Sequence, residues 1–149
     1  MRLETRWAFW EDARGPPLAE DEEGGMTILR FDDAPVFDLS GVRIRGLSSP
    51  ARGATETMTY LVELGEEQRV PDHTHDHEEV SHLVSGRWTV SIAGVDSELR
   101  PGDTAVIPAG VVHASFTLEG AEAVILTSMP VGTILIRANG ERVAPPWGT

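Results

Sequence analysis

From residue 27 onward, apolar and polar residues alternate in short runs along the chain. The clearest run covers residues 58–64, in which every second residue is apolar: Met58, Tyr60, Val62 and Leu64. Residues 88–92 repeat the alternation with Trp88, Val90 and Ile92. A period of two residues is that of a β-strand with one buried face. Both runs therefore predict strands.

Further short runs predict a series of strands at residues 27–31, 42–47, 80–84, 104–107, 114–118, 123–128 and 134–137. Residues 32–41 are rich in turn formers, residues 66–72 form a charged connection, and Ala93-Gly94 and Pro101-Gly102 mark tight turns. Turn signals at intervals of about ten residues are typical of β-sandwiches and barrels. The predicted fold class is all-β.

Residues 1–25 have a different character and are predicted to form an N-terminal extension to one domain at residues 26–149. Leu3, Trp7 and Trp10 recur at helical spacing, which predicts a short amphipathic helix. The helix is expected to end at the prolines of residues 15–17, and residues 18–25 form an acidic linker. Tryptophans in this pattern indicate packing against the barrel or across a subunit interface, with an aromatic ligand site as the alternative.

Composition narrows the class of protein. The chain has 149 residues, 15 Gly, 10 Pro and no Cys, which suits a turn-rich domain and excludes disulfides and thiolate ligands. No stretch approaches the roughly 18 apolar residues of a membrane span, and the N-terminus lacks the apolar core of a signal peptide. A cytoplasmic protein is expected. The formal net charge of −12 argues against nucleic-acid binding.

Four of the five histidines lie within residues 73–86. His73 and His75 are two residues apart, so on a strand both rings project from one face. Glu79 follows after a connection short enough to return to the same place, and His113 is the histidine left to supply a further ligand. Three imidazoles and one carboxylate predict a metal centre for Mn, Fe, Co, Ni, Cu or Zn. Ordinary core histidines are the alternative, at the cost of leaving buried imidazoles unpaired.

Two further histidines, His77 and His82, lie outside this candidate ligand set. Strand parity points His82 to the opposite face, where an ordinary, partly buried role is favoured. His77 lies in the connection between the two ligand strands. It is either an acid or base at the rim or a solvent-facing residue, and the sequence leaves both open.

The sequence resembles the cupin superfamily in the order and spacing of two motifs. These read His73-x-His75-x3-Glu79-x6-Gly86 and Gly102-x5-Pro108-x-Gly110-x2-His113. Two positions depart from the family pattern without touching a candidate ligand. Glu67 stands where the first motif usually opens with glycine, and Thr117 stands where the second often closes with asparagine.

This resemblance implies the cupin double-stranded β-helix, a jelly-roll barrel of the small single-domain bacterial type, with a divalent Fe, Mn, Ni or Zn near one mouth. The expected metal ligands are His73, His75, Glu79 and His113, and the family is usually dimeric, so a homodimer is expected. Eight further residues are candidates for lining or backing the pocket: Met58, Tyr60, Ser81, Trp88, Val90, Ser115, Phe116 and Thr117.

Two classes of function are compatible with such a barrel. The first is a metal-dependent enzyme of dioxygenase, isomerase or lyase type acting on a small oxygenated molecule, with Glu79 and His77 as acid–base candidates. The second is a non-catalytic module that binds or senses a sugar or carboxylate. Fold alone does not distinguish them. Open metal positions favour the enzyme.

Overall fold

The computed structural model describes residues 27–149. Twelve strands form two six-stranded sheets, in which every paired strand is antiparallel. The strands are β1 (Val36–Leu39), β2 (Val42–Ser48), β3 (Thr57–Leu64), β4 (Arg69–His75), β5 (Glu79–Gly86), β6 (Trp88–Ile92), β7 (Val95–Leu99), β8 (Thr104–Ile107), β9 (His113–Phe116), β10 (Ala123–Pro130), β11 (Leu135–Arg137) and β12 (Arg142–Val143). Short 3-10 helices cover Phe31–Asp33, Pro50–Arg52 and Pro146–Gly148.

The first sheet has the strand order β1-β2-β3-β10-β5-β8, and the second has the order β12-β11-β4-β9-β6-β7. Consecutive strands β4 and β5 belong to different sheets, so the chain crosses from one sheet to the other at residues 76–78. This arrangement is a jelly-roll barrel, and it confirms the predicted all-β fold class.

The core lies between the inner faces of the two sheets. Its most deeply buried apolar side chains are Met58, Leu83, Val90 and Ile107, which come from both sheets. Alternation holds along β10, whose odd-numbered residues from Ala123 to Met129 are buried. The side chains of Ser81 and Thr127 are two of the polar groups within this inner layer. Polar groups at such depth need hydrogen-bond partners.

Residues 27–31 were predicted as a strand, and this prediction is wrong. The segment has no sheet neighbour, and Phe31 begins a 3-10 turn in which the amide of Ala34 donates to the Phe31 carbonyl at 3.1 Å. Ile28 and Phe31 are 64% and 53% exposed. The apolar residues of this run therefore have no buried face to fill, and tertiary context overrides their β propensity.

The turn-rich segment at residues 32–41 contains a strand that the sequence pattern did not predict. Val36–Leu39 pairs with β2 across a two-residue turn at Ser40 and Gly41, which have φ angles of 50° and 89°. Two successive positive φ angles are those of the turn that suits a hairpin. Strand β12 was missed as well, because it has only two residues, and β4 begins inside the charged connection, at Arg69.

Within residues 27–149, no helix has the length and apolar character needed to cross a membrane.

Candidate metal centre

Three strand ends supply the candidate ligands at one end of the barrel. His73 and His75 close β4, Glu79 opens β5, and His113 opens β9. Register pairs His73 with His113 across β4 and β9, so these two imidazoles are neighbours by topology. The three-residue connection at 76–78 brings Glu79 to them from the first sheet. The site therefore joins the two sheets.

The structure brings all four predicted residues together. One ligand atom from each of His73, His75, Glu79 and His113 lies within 4.8 Å of the corresponding atoms of the others. The ring centroids of His73 and His113 are 4.2 Å apart, and those of His75 and His113 are 5.2 Å apart. His75, Glu79 and His113 are buried, whereas His73 is half-buried at the rim.

Backbone carbonyls fix the orientation of two of the rings. His73 Nδ1 donates to the Pro71 carbonyl at 2.7 Å, and His113 Nδ1 donates to the Val111 carbonyl at 2.9 Å. A carbonyl oxygen only accepts, so each Nδ1 carries a proton. In a neutral imidazole the other nitrogen, Nε2, then presents its lone pair, as metal ligation requires.

The third ring has a buried nitrogen without a hydrogen bond. His75 Nδ1 lies 3.2 Å from Glu79 Oε2, but the angle between the groups does not suit a hydrogen bond and no other group in residues 27–149 satisfies this nitrogen. An unsatisfied buried polar atom costs about 1–3 kcal/mol. A metal ion held by the four side chains would satisfy it, and imidazole and carboxylate are the donors that first-row transition metals bind. The residues present fit such an ion.

Glu79 carries the negative charge of the site. Its Oε2 accepts a hydrogen bond from His113 Nε2 at 3.0 Å, and its Oε1 accepts one from Ser81 Oγ at 2.6 Å. Burial raises the pKa of this carboxyl, but the hydrogen bond from His113 and the closeness of the His113 and His75 imidazoles outweigh burial and hold the pKa well below its usual value. Glu79 is therefore ionised at neutral pH.

The surroundings shift the pKa values of His73 and His113 in opposite directions. Burial, followed by the charge of His113, lowers the pKa of His73 to about 4. Burial also lowers the pKa of His113, but its hydrogen bond to Glu79 and the charge of Glu79 raise it above the ordinary value. Because both ring nitrogens of His113 face oxygen acceptors, the doubly protonated ring is the form that satisfies this geometry without a metal.

The remaining histidines lie outside the four-residue group. His77 is exposed, and its Nδ1 lies 2.8 Å from Asp76 Oδ1. Asp76 Oδ1 also accepts a hydrogen bond from the amide of Ile134 at 2.8 Å, which ties the connection at 76–78 to the segment just before β11. His82 points out of the barrel, as strand parity predicts, and pairs with Thr104 Oγ1 at 2.8 Å.

The eight pocket candidates occupy different environments. Met58, Tyr60, Trp88 and Val90 are buried in the core, and Ser81 lies beside Glu79. Ser115 and Phe116 are half-buried, and the guanidinium of Arg69 lies 5.2 Å from the centre of the Phe116 ring. Thr117 is buried and hydrogen-bonded to backbone. Their role as pocket residues stays a prediction.

One side chain and one backbone group near the site were missed in the sequence. Thr127 lies 2.8 Å from Ser81 Oγ, and the Ile134 amide binds Asp76. Thr127 lies among apolar residues on the inner face of β10. A single hydroxyl in such a position needs a buried hydrogen-bond partner. The register between β5 and β10, which identifies that partner, is not readable from the sequence.

A separate cavity of about 530 Å³ lies between the segments around residues 28–37, 49–52 and 146–149, with Phe37, Arg52 and Trp147 in its wall. None of the four candidate ligands lines it. The histidine cluster, rather than this cavity, holds the convergent polar groups from which chemistry is built.

The comparisons with known proteins agree with this site. The family model for the Cupin domain (Cupin_2) matches residues 60–129, a range that includes all four candidate ligands. The polyketide cyclase RemF from Streptomyces resistomycificus has a similar structure, with a TM-score of 0.66. The chain contains a Cupin domain on a cupin fold. RemF is 22% identical, and the alignment covers 82% of this cupin and 83% of RemF.

Two other cupin-fold structures show the same likeness. KdgF from Halomonas sp. is 21% identical with a TM-score of 0.61, and the alignment covers 71% of this chain and 94% of KdgF. A predicted oxalate decarboxylase from Thermotoga maritima is 18% identical with a TM-score of 0.60, covering 68% and 96% of the two chains. At these identities the likeness establishes the fold. No curated protein matches the chain significantly.

Proposed function

We propose that this cupin is a metal-dependent enzyme that acts on a small oxygenated molecule, with His73, His75, Glu79 and His113 as ligands of one divalent transition metal. The observation that carries the proposal is the convergence of these four side chains around the unsatisfied Nδ1 of His75. Three imidazoles and one carboxylate form a donor set for Fe, Mn, Ni or Zn.

The reaction class follows from the donor set together with the fold. Four protein donors leave positions open on an ion that prefers six, and a bound metal supplies Lewis-acid or oxygen-activating chemistry there. Dioxygenase, isomerase and lyase reactions use such chemistry on substrates that chelate through two oxygens. The structural neighbours named as a polyketide cyclase and a predicted oxalate decarboxylase support an enzyme of this general kind.

Glu79 and His77 are the two candidate side chains for proton transfer. Glu79 is held ionised by its lowered pKa and by two hydrogen bonds, so it is a weak base. His77 stands exposed in the connection beside the ligands, with its Nδ1 oriented by Asp76. We assign His77 the role of rim acid–base, with Nε2 as the exchanging atom.

Elemental analysis tests the metal site. We would purify the protein without a metal-affinity tag and compare the natural sequence with His75→Ala and His82→Ala, the second being a matched control because His82 bonds Thr104 outside the barrel. Near-stoichiometric metal in the natural protein and the control, with loss in His75→Ala, supports the proposal. An absence of metal in all three proteins, even after reconstitution, refutes it.

Assays with chelating substrates test the enzyme itself. Iron or manganese in the protein directs the search to oxygen uptake, whereas nickel or zinc directs it to isomerase and lyase screens. His77→Ala is expected to lower the turnover number while leaving metal content unchanged, because His77 lies outside the ligand group. Unchanged turnover would remove His77 from the mechanism.

The assembly and location of the protein are part of the same proposal. We propose a cytoplasmic homodimer that does not bind nucleic acid, in keeping with the net charge of −12. Exposed apolar residues on β5 and β8, among them Val84 and Val106, support an interface on the outer face of the first sheet. A monomeric mass by light scattering would refute the dimer.

A further inference from the structure

Two buried hydroxyl groups stand behind the carboxylate of the candidate metal centre. The side chains of Ser81 and Thr127 are 0% and 2% exposed, and they face each other across β5 and β10. Ser81 Oγ lies 2.6 Å from Glu79 Oε1 and 2.8 Å from Thr127 Oγ1. The three side chains form a continuous chain of hydrogen bonds that ends on Glu79.

The protons in this chain have a fixed direction. A carboxylate oxygen only accepts, so Ser81 must use its one hydroxyl proton to reach Glu79. The hydrogen bond between Ser81 and Thr127 then requires Thr127 to be the donor. Each member orients the next one, and a hydrogen bond to an ionised acceptor is about twice as strong as one between neutral groups.

This chain of hydrogen bonds also gives the two carboxylate oxygens of Glu79 different partners. Oε1 is occupied by the Ser81 hydroxyl, on the side away from the imidazoles. Oε2 lies 3.0 Å from His113 Nε2 and 3.2 Å from His75 Nδ1, so it is the oxygen that faces the histidines. Rotation of the carboxylate to bring both oxygens to one ion would break the charge-assisted hydrogen bond from Ser81 and leave Ser81 with the neutral hydroxyl of Thr127 as its partner.

We propose that Ser81 and Thr127 are positioning residues that make Glu79 bind the metal through Oε2 alone. This inference rests on the proposed metal centre and specifies its coordination. One-oxygen binding keeps the protein at four donor atoms. An ion that prefers six ligands then has two positions left, which is the number that a substrate chelating through two oxygens requires.

The experiment uses Mn²⁺ as the probe, with binding measured by calorimetry and the carboxylate stretching bands measured by infrared difference spectroscopy. The separation of the antisymmetric and symmetric bands distinguishes one-oxygen from two-oxygen binding. Ser81→Ala removes the donor to Glu79. Thr127→Val removes the second hydroxyl at nearly constant shape, and Thr127→Ser keeps that hydroxyl while removing the methyl group.

Matched controls come from the opposite face of the same sheet. Thr59 and Ser128 form a hydroxyl pair at 3.3 Å across β3 and β10, and both are outside the inner layer. Thr59→Val and Ser128→Ala therefore make the same chemical changes on these strands without touching the chain to Glu79. They are expected to bind Mn²⁺ like the natural protein.

We expect Ser81→Ala to weaken Mn²⁺ binding about 10–100-fold, the usual effect of losing a partner of a metal ligand. Its carboxylate bands should move closer together, because the freed Oε1 can then join the ion. Thr127→Val should show a smaller change in the same direction, and Thr127→Ser should restore both signals. If Ser81→Ala does not fold, the comparison of Thr127→Val with Thr127→Ser decides the matter.

Natural-sequence affinity and band separation in both Ser81→Ala and Thr127→Val would overturn the positioning role and leave the metal centre intact. Equal losses in Ser128→Ala and Ser81→Ala would also overturn it, since the effect would then be general to the sheet. Failure of the natural protein to bind Mn²⁺, Fe²⁺, Ni²⁺ or Zn²⁺ would instead refute the proposed function.

Discussion

Position 86, which closes the first cupin motif, requires glycine for two separate reasons. Its φ angle is 88°, in the left-handed region that side chains disfavour, and a Cβ atom placed there would clash with the carbonyl oxygen of Glu122. Gly102 and Gly110 of the second motif have φ angles of 99° and 77°, with open space where a side chain would project. The motif glycines therefore serve two different purposes.

Gly86→Ala should be clearly more destabilising than Gly120→Ala. Gly120 has a φ angle of 73° and open space around it, so its substitution measures backbone strain alone, about 1–2 kcal/mol. Gly86→Ala adds displacement of the Glu122 backbone, for a total loss of about 3 kcal/mol or more. Urea denaturation of both variants measures the difference. Equal losses would mean that the Glu122 backbone moves away without cost.

Glu67 shows how the chain departs from the motif while keeping its backbone. It stands where the family usually has glycine, and it adopts a φ angle of 53°. The left-handed turn before β4 is therefore preserved at the cost of local strain. The replacement of the usual glycine by Glu67 therefore does not change the left-handed backbone conformation at this position.

The hydroxyl of Thr117, just after β9, bonds two backbone groups in the segment that leads into β4. Thr117 Oγ1 accepts a hydrogen bond from the amide of Gln68 at 3.1 Å and donates to the carbonyl of Gly65. Thr117 occupies the position where the second motif often has asparagine, so a hydroxyl here carries out donor and acceptor roles that an amide side chain can also fulfil.

Thr117→Val should destabilise the fold by about 1–3 kcal/mol, because it removes the hydroxyl that bonds both the half-buried Gln68 amide and the Gly65 carbonyl. Thr59→Val is the matched control, since its hydroxyl is half-buried and pairs only with Ser128. Thermal unfolding followed by circular dichroism measures both losses. The interpretation fails if the two variants have the same melting temperature.

Strands that the sequence predicts well are those in which alternation coincides with one buried face. Residues 88–92 form β6 with the predicted bounds, and the strand predicted at residues 58–64 forms β3, which begins one residue earlier. The same criterion failed at residues 27–31, where apolar side chains have no sheet to cover. It also missed β1, whose residues Val36 and Leu39 are exposed, so no apolar alternation marks the strand.

The candidate site was predictable to the extent that it is local. His73, His75 and Glu79 follow from spacing within seven residues, and His113 follows from the second motif. Thr127 was not predictable, because its contact with Ser81 depends on the β5–β10 register, which shifts at an irregularity between Val124 and Ile125. A one-residue slip would turn Thr127 to the outer face.

A metal at this site would connect the two sheets of the barrel. His73, His75 and His113 belong to the second sheet, and Glu79 belongs to the first. An ion bound by all four therefore adds a link between layers that otherwise meet through core packing. Because the complete ligand set exists only in the folded chain, binding should favour the folded state.

Removal of the metal should lower the melting temperature. At a free metal concentration of about 100 times Kd, binding stabilises the fold by about 2.7 kcal/mol. For a chain of this length that corresponds to a shift of about 5–10 °C. Melting curves recorded with and without a chelator measure the shift, and His75→Ala should show none. An unchanged curve for the natural protein would contradict a metal that binds the folded state.

The pH dependence of metal binding should be set by His113 rather than His73. The pKa of His73 is lowered to about 4 by burial and the charge of His113, so His73 is neutral above about pH 5. The pKa of His113 is raised, since its bond to Glu79 and the charge of Glu79 outweigh burial. The ion must therefore displace the proton that His113 shares with Glu79, and affinity should rise as pH increases through the raised pKa.

The same proton has the opposite effect on the metal-free protein. A folded-state pKa above the unfolded value stabilises the fold at low pH, and that contribution is lost as pH rises through the folded value. The melting-temperature difference between metal-loaded and metal-free protein should consequently widen from pH 6 to pH 8.

Calorimetry at pH 6 in buffers of different ionisation enthalpy should detect release of about one proton per metal from His113. Glu79→Gln removes the charge that raises the pKa of His113, so the remaining binding should lose its dependence on pH in this range. Proton release near zero at pH 6 would show that His113 is already neutral and that its bond to Glu79 does not hold the proton.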